Sequence, residues 1–202
     1  MAEVNPNLVK KLRDKTNAGM MDCKNALVES DGDLSKAEDI LRKKGIASAT
    51  KKASRSTKEG VVASYIHLQG KVGVLVEINC ETDFVAKNEN FRNFVKDITL
   101  HIAAAIPLYV SRDQVPVQSI EREREIYRAQ VADKPANIVE KIVEGKMDKF
   151  FASVCLLEQA FIKNQDQTVR DLVASKVAEL GENIVIRRFA RYAVGEETAA
   201  GQ

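Results

Sequence analysis

The sequence has no tryptophan, two histidines, three cysteines and four prolines, and aromatic residues make up only 5% of its 202 positions. Each scarcity excludes something. His67 and His101 have no cysteine or carboxylate beside them at ligand spacing, so neither a zinc finger nor a His-Glu-x-x-His site can be built, and both are read as structural. Cys23, Cys80 and Cys155 form an odd, widely spaced set in apolar surroundings, which argues against a disulfide framework and predicts buried, reduced thiols. The phosphate-loop, dinucleotide-fold and nucleophile-elbow glycine patterns are all missing, so no cofactor and no metal are expected and no enzyme site is legible. No apolar run approaches the ~18 to 20 residues that span a bilayer. The opening Met1–Pro6 lacks the basic-then-apolar order of a secretory signal, and a cytoplasmic chain with no membrane contact is expected. Lys+Arg 31 against Asp+Glu 29 leaves a formal charge of +2, too little for a chain that coats nucleic acid, although a local basic patch is allowed.

What is present is a globular mixture, 45% hydrophobic and 30% charged, at a length that suits a small module plus a larger core. Leu8, Val9 and Leu12 begin a first helix after Asn5-Pro6-Asn7, and Gly19 marks a turn. A second helix runs from about Met21 through Cys23, Ala26 and Leu27 to the breaker Ser30-Asp31-Gly32-Asp33, residues suited to turns and helix N-caps. A third carries Leu34, Ala37 and Leu41, opens with a Ser35–Glu38 capping box and is expected to stop at Gly45. From Arg42 to Glu59 there are seven Lys or Arg and one acid, with almost no large apolar residue, so 46–59 reads as a basic linker. Its alternative is an RNA-binding tail, held by charge alone because no aromatic is there to stack on a base.

The strongest β signal follows. Gly60–Leu68 and Val72–Asn79 read as two strands around Gln69-Gly70. Phe91, Val95, Ile98, Ile102 and Ala105 then place a helix from about 88 to 106, packed on that hairpin and ended by Pro107. From about 117 to 151 two charge-rich helices flank Asp133-Lys134-Pro135, with seams of Ile120, Tyr127 and Val131, and of Val139, Ile142, Val143 and Phe150. This is a projecting antiparallel helical hairpin, suited to contact with a partner or a second copy. A short apolar segment (Val154–Ile162), a helix from Thr168 to Leu180 and a strand from Asn183 to Val194 complete the chain, with Ile184, Ile186, Phe189 and Tyr192 as candidate buried positions and a fraying tail after Gly195. The class is α+β: a three-helix module, then a small antiparallel sheet packed by helices.

Two short segments concentrate unlike residues in a turn. In Leu12–Leu27 the adjacent Met20 and Met21 are either core fillers or an adaptable apolar docking surface, since neighbours at a turn cannot both point inward. In Cys80–Asn88, Phe84 either plugs the core, with Thr82 or Asp83 capping the next helix, or projects with Asp83 from a rigid scaffold towards a partner.

Both segments closely resemble the signatures of the bacterial elongation factor Ts family, exchange factors for the GTPase elongation factor Tu. Val143-Glu144-Gly145-Lys146-Met147 with Lys149-Phe150 resembles the family's helical-hairpin region, and His101–Ala105 a family segment that is assigned here to the core. The resemblance implies a ubiquitin-associated-like three-helix module over 1–45 and an α+β exchange and dimerisation core over 60–202 bearing the hairpin. It makes Thr82, Asp83, Phe84 and Val85 the magnesium-displacing exchange segment: Phe84 would insert near the ion's site in the GTPase, and Asp83 would help reorganise the segments holding ion and phosphates. Leu12, Met20 and Met21 are the candidates for the module's apolar contact with the GTPase. Longer members carry two related core subdomains where this chain has one, so pairing into a homodimer through the core is expected, with no specific nucleic acid bound. The rival expectation is a ribosome-associated accessory protein using the basic stretch between Arg42 and Lys58.

Overall fold

The computed structural model describes residues 5–16 and 18–196. Asn17 of the methionine segment, the opening residues 1–4 and the expected fraying of 197–202 lie outside the described residues. In chain order the elements are α1 (Pro6–Thr16), α2 (Met20–Glu29), α3 (Leu34–Lys52), β1 (Glu59–His67), β2 (Val72–Cys80), α4 (Asp83–Lys87), α5 (Glu89–Ala105), α6 (Val117–Ala129), α7 (Ala136–Val154), β3 (Ala160–Phe161), β4 (Asn164–Thr168), α8 (Val169–Leu180) and β5 (Val185–Ala193). They build an α+β fold with a three-stranded antiparallel sheet in the order β1-β2-β5. Two compact units result. One takes the described residues up to Ala63 with Glu77–Asp97 and Arg170–Arg187; the other takes Ser64–Val76, Ile98–Val169 and the described residues from Arg188 onward.

In the first unit, α1 to α3 close on Leu12, Cys23, Ala26, Leu27, Ala37 and Leu41, all buried, with Leu8, Val9 and Leu34 packed against them. Pro6 stands in the first turn of α1, where a missing N–H costs no hydrogen bond, and Asn5 Oδ1 accepts from the Asn7 amide at 2.9 Å. Asp33, in the break whose residues suit turns and helix N-caps, caps α3 in place of the Ser35 of the capping-box pattern: its Oδ1 accepts from the amides of Ser35 and Lys36 at 2.9 and 3.1 Å. Asp31 and Gly32, with φ of 52° and 83°, turn the chain just ahead of it. A second correction concerns the end of α3, which continues past Gly45 to Lys52, so the basic stretch read as a linker is helical over 46–52. Gly45 is buried against α8, where an added Cβ would stand 3.7 Å from the Ala174 carbonyl oxygen. The glycine serves close helix packing there and does not terminate the helix.

On β2, Val72, Val74, Val76, Ile78 and Cys80 are buried while Leu75 faces out, the alternation of a half-covered strand. Gly60 has φ +144°, and a Cβ on it would come within 2.3 Å of the Ile78 carbonyl oxygen, so only glycine lets the two strands approach here. Phe91, Phe94, Val95, Ile98 and Ile102 line the buried face of α5. Ile184, just ahead of β5, and Ile186 within it are buried as expected, whereas Tyr192 is 75% exposed, against the expectation. Arg191 takes the inward position instead, and its Nε donates to the Ala103 carbonyl at 3.5 Å, which sends its neighbour outward.

The second unit contains the helical hairpin. Val115, Val131, Val143, Met147, Phe151 and Cys155 form its seam, flanked by Ile120, Tyr127, Val139, Ile142 and Phe150. Arg124–Glu144 (2.6 Å) and Arg128–Glu140 (3.0 Å) cross between α6 and α7, exposed pairs that fix register more than stability. At its base Arg112 donates to Asp148 and Glu158 and lies over the Phe151 ring, 4.6 Å from its centroid. The short antiparallel pair β3–β4 follows, in place of a featureless apolar segment. Asn164-Gln-Asp-Gln-Thr168 has no apolar alternation by which it could have been read as a strand. All three cysteines are buried, and none is in a disulfide.

His101 is fully buried in this unit. Its Nδ1 accepts from the Ile162 amide at 3.3 Å, and its Nε2 donates to Gln159 Oε1 at 3.0 Å. Gln159 Nε2 in turn donates to the carbonyls of Ala105 and Ser153. Burial holds the imidazole below its ordinary pKa, with the Gln159 bond acting in the opposite direction. The unfolded chain takes up this proton near pH 6.5 and the folded chain only lower, so the contribution to stability is complete above that pH and declines as pH falls. Thermal unfolding at pH 7.5 and 5.5 checks this: Tm is expected to drop with acid in the wild type, and the His101→Gln variant to lose part of that slope.

Candidate functional site

Strand β2 ends at Cys80, and the next residues turn into α4, a helix of five residues that is too short to stand by itself. Thr82 caps it: its Oγ1 accepts from the Val85 amide at 3.4 Å, and its carbonyl from the Ala86 amide at 3.2 Å. Ala86 is the buried anchor, and its carbonyl accepts from Arg92 Nε at 2.8 Å. Asn88 leaves the helical conformation, ends α4 and starts α5, its Oδ1 accepting from the Asn90 amide. With Ala86 inward, Phe84 is carried outward and is 81% exposed. Of the two readings open in the sequence, the core plug is thus excluded, and the cap belongs to Thr82.

Asp83 stands beside Phe84, half exposed, with Lys87 Nζ one turn on at 2.7 Å. The hydrogen bond from Lys87 holds the Asp83 carboxyl below the usual carboxylate range, and the same pairing raises the Lys87 ammonium. The segment therefore presents one bare aromatic ring next to one ionised carboxylate.

The turn is gripped from a distant part of the chain. Glu182 Oε2 accepts from the amides of Glu81 and Thr82, each at 3.0 Å, and its Oε1 accepts from Thr82 Oγ1 at 2.6 Å. Reciprocally, Glu81 Oε1 accepts from the Asn183 amide at 2.6 Å, and Asn183 Nδ2 donates to the carbonyls of Ala53 and Arg55. The Cys80 thiol donates to the Thr82 carbonyl at 3.2 Å; burial first, and the Glu182 carboxylate second, push its pKa up to about 11. It is a structural donor, not a nucleophile. Sequence reasoning missed Glu182 and Asn183, because no local pattern announces a contact across some hundred residues.

The methionine segment divides. Met20 and Met21, in the first turn of α2, are 60% and 64% exposed, whereas Leu12 is 0% exposed at the centre of the three-helix core. Leu12 supports the turn from beneath and has no surface with which to touch a partner, so it leaves the set of contact residues. Met20, Met21 and Phe84 belong to the same compact unit. Among the described residues no three His, Cys, Asp or Glu side chains gather as a metal site. What these elements can supply is apolar surface and one charge held in fixed geometry.

A family model described as elongation factor TS matches residues 47–196. The chain is 60% identical to a protein named elongation factor Ts from Carboxydothermus hydrogenoformans over 198 residues, covering 97% of this chain and 91% of that protein. It is 57% identical to the protein of that name from Caldanaerobacter subterraneus subsp. tengcongensis, covering 96% and 98%, and 59% identical to that from Geobacter metallireducens, covering 95% and 89%.

Because Phe84 touches so little of its own chain, Phe84→Ala is expected to change unfolding free energy by less than about 0.5 kcal/mol. Leu12→Ala, which opens a cavity in the three-helix core, should cost about 2–5 kcal/mol. Urea unfolding of the two variants measures both.

Proposed function

This chain belongs to the elongation factor Ts family, and on that premise we propose that it is a cytoplasmic guanine nucleotide exchange factor that binds elongation factor Tu·GDP and speeds GDP release, allowing GTP to load. It performs no bond chemistry of its own. The observation that carries the reading is Phe84, a large apolar ring left 81% exposed on a turn that other residues hold still. An exposed aromatic on a rigid mount suits insertion into a partner, since little order is lost on binding.

In this reading Phe84 enters the GTPase near its magnesium site, and Asp83, Thr82 and Val85 complete the segment that disturbs the ion and the phosphates. Magnesium demands near-ideal octahedral coordination, so a shift of about an ångström weakens its hold on nucleotide and protein together. Burying one phenylalanine contributes roughly 1.5–3 kcal/mol, and about 1.4 kcal/mol changes affinity tenfold. One ring alone gives too little, and Met20 and Met21 on the ubiquitin-associated-like module (1–45) add a second apolar contact. The coupling is reciprocal: a factor that loosens nucleotide is itself released by nucleotide, which gives turnover.

The domain division proposed is that module, a basic connection over 46–59 whose first part continues α3, and the exchange and dimerisation core over 60–202. Several cations of the basic stretch are already engaged, Arg42 with Asp39, Lys44 with Glu29 and Arg55 with Glu81, which supports a solvated surface with no specific nucleic acid. Ile66, Leu68, Leu75, Tyr192 and Val194 are all exposed on the strands and strand ends of the second unit. These exposed apolar side chains, with one core present where longer family members have two, support a homodimer through the core.

Two measurements test the reading. Elongation factor Tu loaded with a fluorescent GDP analogue should release it much faster with the wild-type chain, and Phe84→Ala should slow that release about tenfold or more. Asp83→Ala should slow it less, and a Met20→Ala, Met21→Ala double variant should raise the concentration needed for half-maximal effect. No acceleration by wild type overturns the exchange reading. Sedimentation equilibrium should give twice the chain mass, and Leu75→Asp with Tyr192→Asp the single mass; a monomeric wild type overturns the dimer.

A further inference from the structure

We propose that Glu182 is the positioning residue of the exchange segment, the group that decides where Phe84 stands. The inference rests on the exchange reading above and deepens it. A relay carries the effect. Glu182 Oε1 accepts the Thr82 hydroxyl proton at 2.6 Å, which turns the oxygen lone pair of that hydroxyl towards the Val85 amide, the donor it caps at 3.4 Å. Glu182 Oε2 takes the amides of Glu81 and Thr82, two donors left without a ladder partner where β2 gives way to α4. Backbone and side chain of the capping residue are thus held by one carboxylate. Phe84 lies between Thr82 and Val85, and α4 has only five residues to resist tilting.

Glu182 is itself fixed. Gly181, at φ +78°, closes α8 with its amide on the Val177 carbonyl at 3.1 Å, and Asn183 is fastened to Glu81, Ala53 and Arg55. The backbone that carries the carboxylate is therefore tied on both sides of Glu182. Its partners here are three donors, and charge-assisted bonds of this kind are the strong ones.

Glu182→Gln keeps the size but turns an NH2 group towards donors. In the GDP-release assay it is expected to lower the saturating rate about tenfold, a change of about 1.4 kcal/mol. The concentration for half-maximal effect should stay within about twofold, because the methionine contact is untouched. Combined with Phe84→Ala, it should slow release no further than Phe84→Ala alone, since a residue that acts through the ring has nothing left to position. In the free protein, amide hydrogen exchange at Glu81 and Thr82 should lose protection. Should Glu182→Gln fold poorly, Thr82→Val replaces it: removing the hydroxyl breaks the relay at its other end, and the saturating rate is expected to fall. Wild-type rates in Glu182→Gln and Thr82→Val, or a double variant whose losses multiply, overturn the assignment. A wild type that leaves GDP release unchanged overturns the exchange reading instead, and with it the functional half of this inference, while the amide protection still reports whether Glu182 holds Thr82.

Discussion

A crossed pair of carboxylates organises the candidate site: Glu81 binds the amide of Asn183, and Glu182 binds the amides of Glu81 and Thr82. Each acid satisfies backbone donors that the end of β2 and the exit from α8 would otherwise leave open. Charge-assisted bonds of this kind are short and directional, so the two chain segments are aligned as well as joined. A one-turn helix has almost no cooperativity of its own, and α4 keeps its direction only because its cap and its Ala86 anchor are held from outside. The exposure of Phe84 follows: the ring is left bare by a scaffold that has no freedom to fold over it.

The second unit is built on a different principle. Its helical hairpin closes on a narrow apolar seam from Val131 to Phe151, and its buried polar residues are used to join elements. His101 and Gln159 stitch α5 to the end of α7 and to the residue after β3 through bonds to Ala105, Ser153 and Ile162. The histidine that sequence spacing marks as structural is structural for this reason: both of its nitrogens are committed.

Much of this was legible because it is local. The helix start at Asn5-Pro6, the break at Asp31-Gly32, the β2 alternation and the Asp133–Pro135 separator all follow from backbone preferences over a few residues. The misreadings share a cause. Gly45 looks like a terminator, yet in the fold it meets the backbone of Ala174, more than a hundred residues on. Tyr192 has the right parity for burial, but Arg191 takes the inward place by reaching Ala103. Leu12 sits in a signature segment and is nonetheless core, since a signature marks both the surface that touches and the residues that hold it up. The candidate site was visible in Thr82–Val85 and in the two methionines. Its clamp was not, because Glu182 is one acid among 29 until the fold brings it to Thr82.

The Cys80 thiol, seated under the turn with its proton on the Thr82 carbonyl, adds a chemical dimension to that mechanical picture. With its pKa pushed up to about 11, the group stays a thiol near neutral pH, and peroxides and disulfides react with the thiolate. The sulfur beneath this turn is therefore kept in its less reactive protonated form, and burial insulates the turn against thiol oxidation at that point.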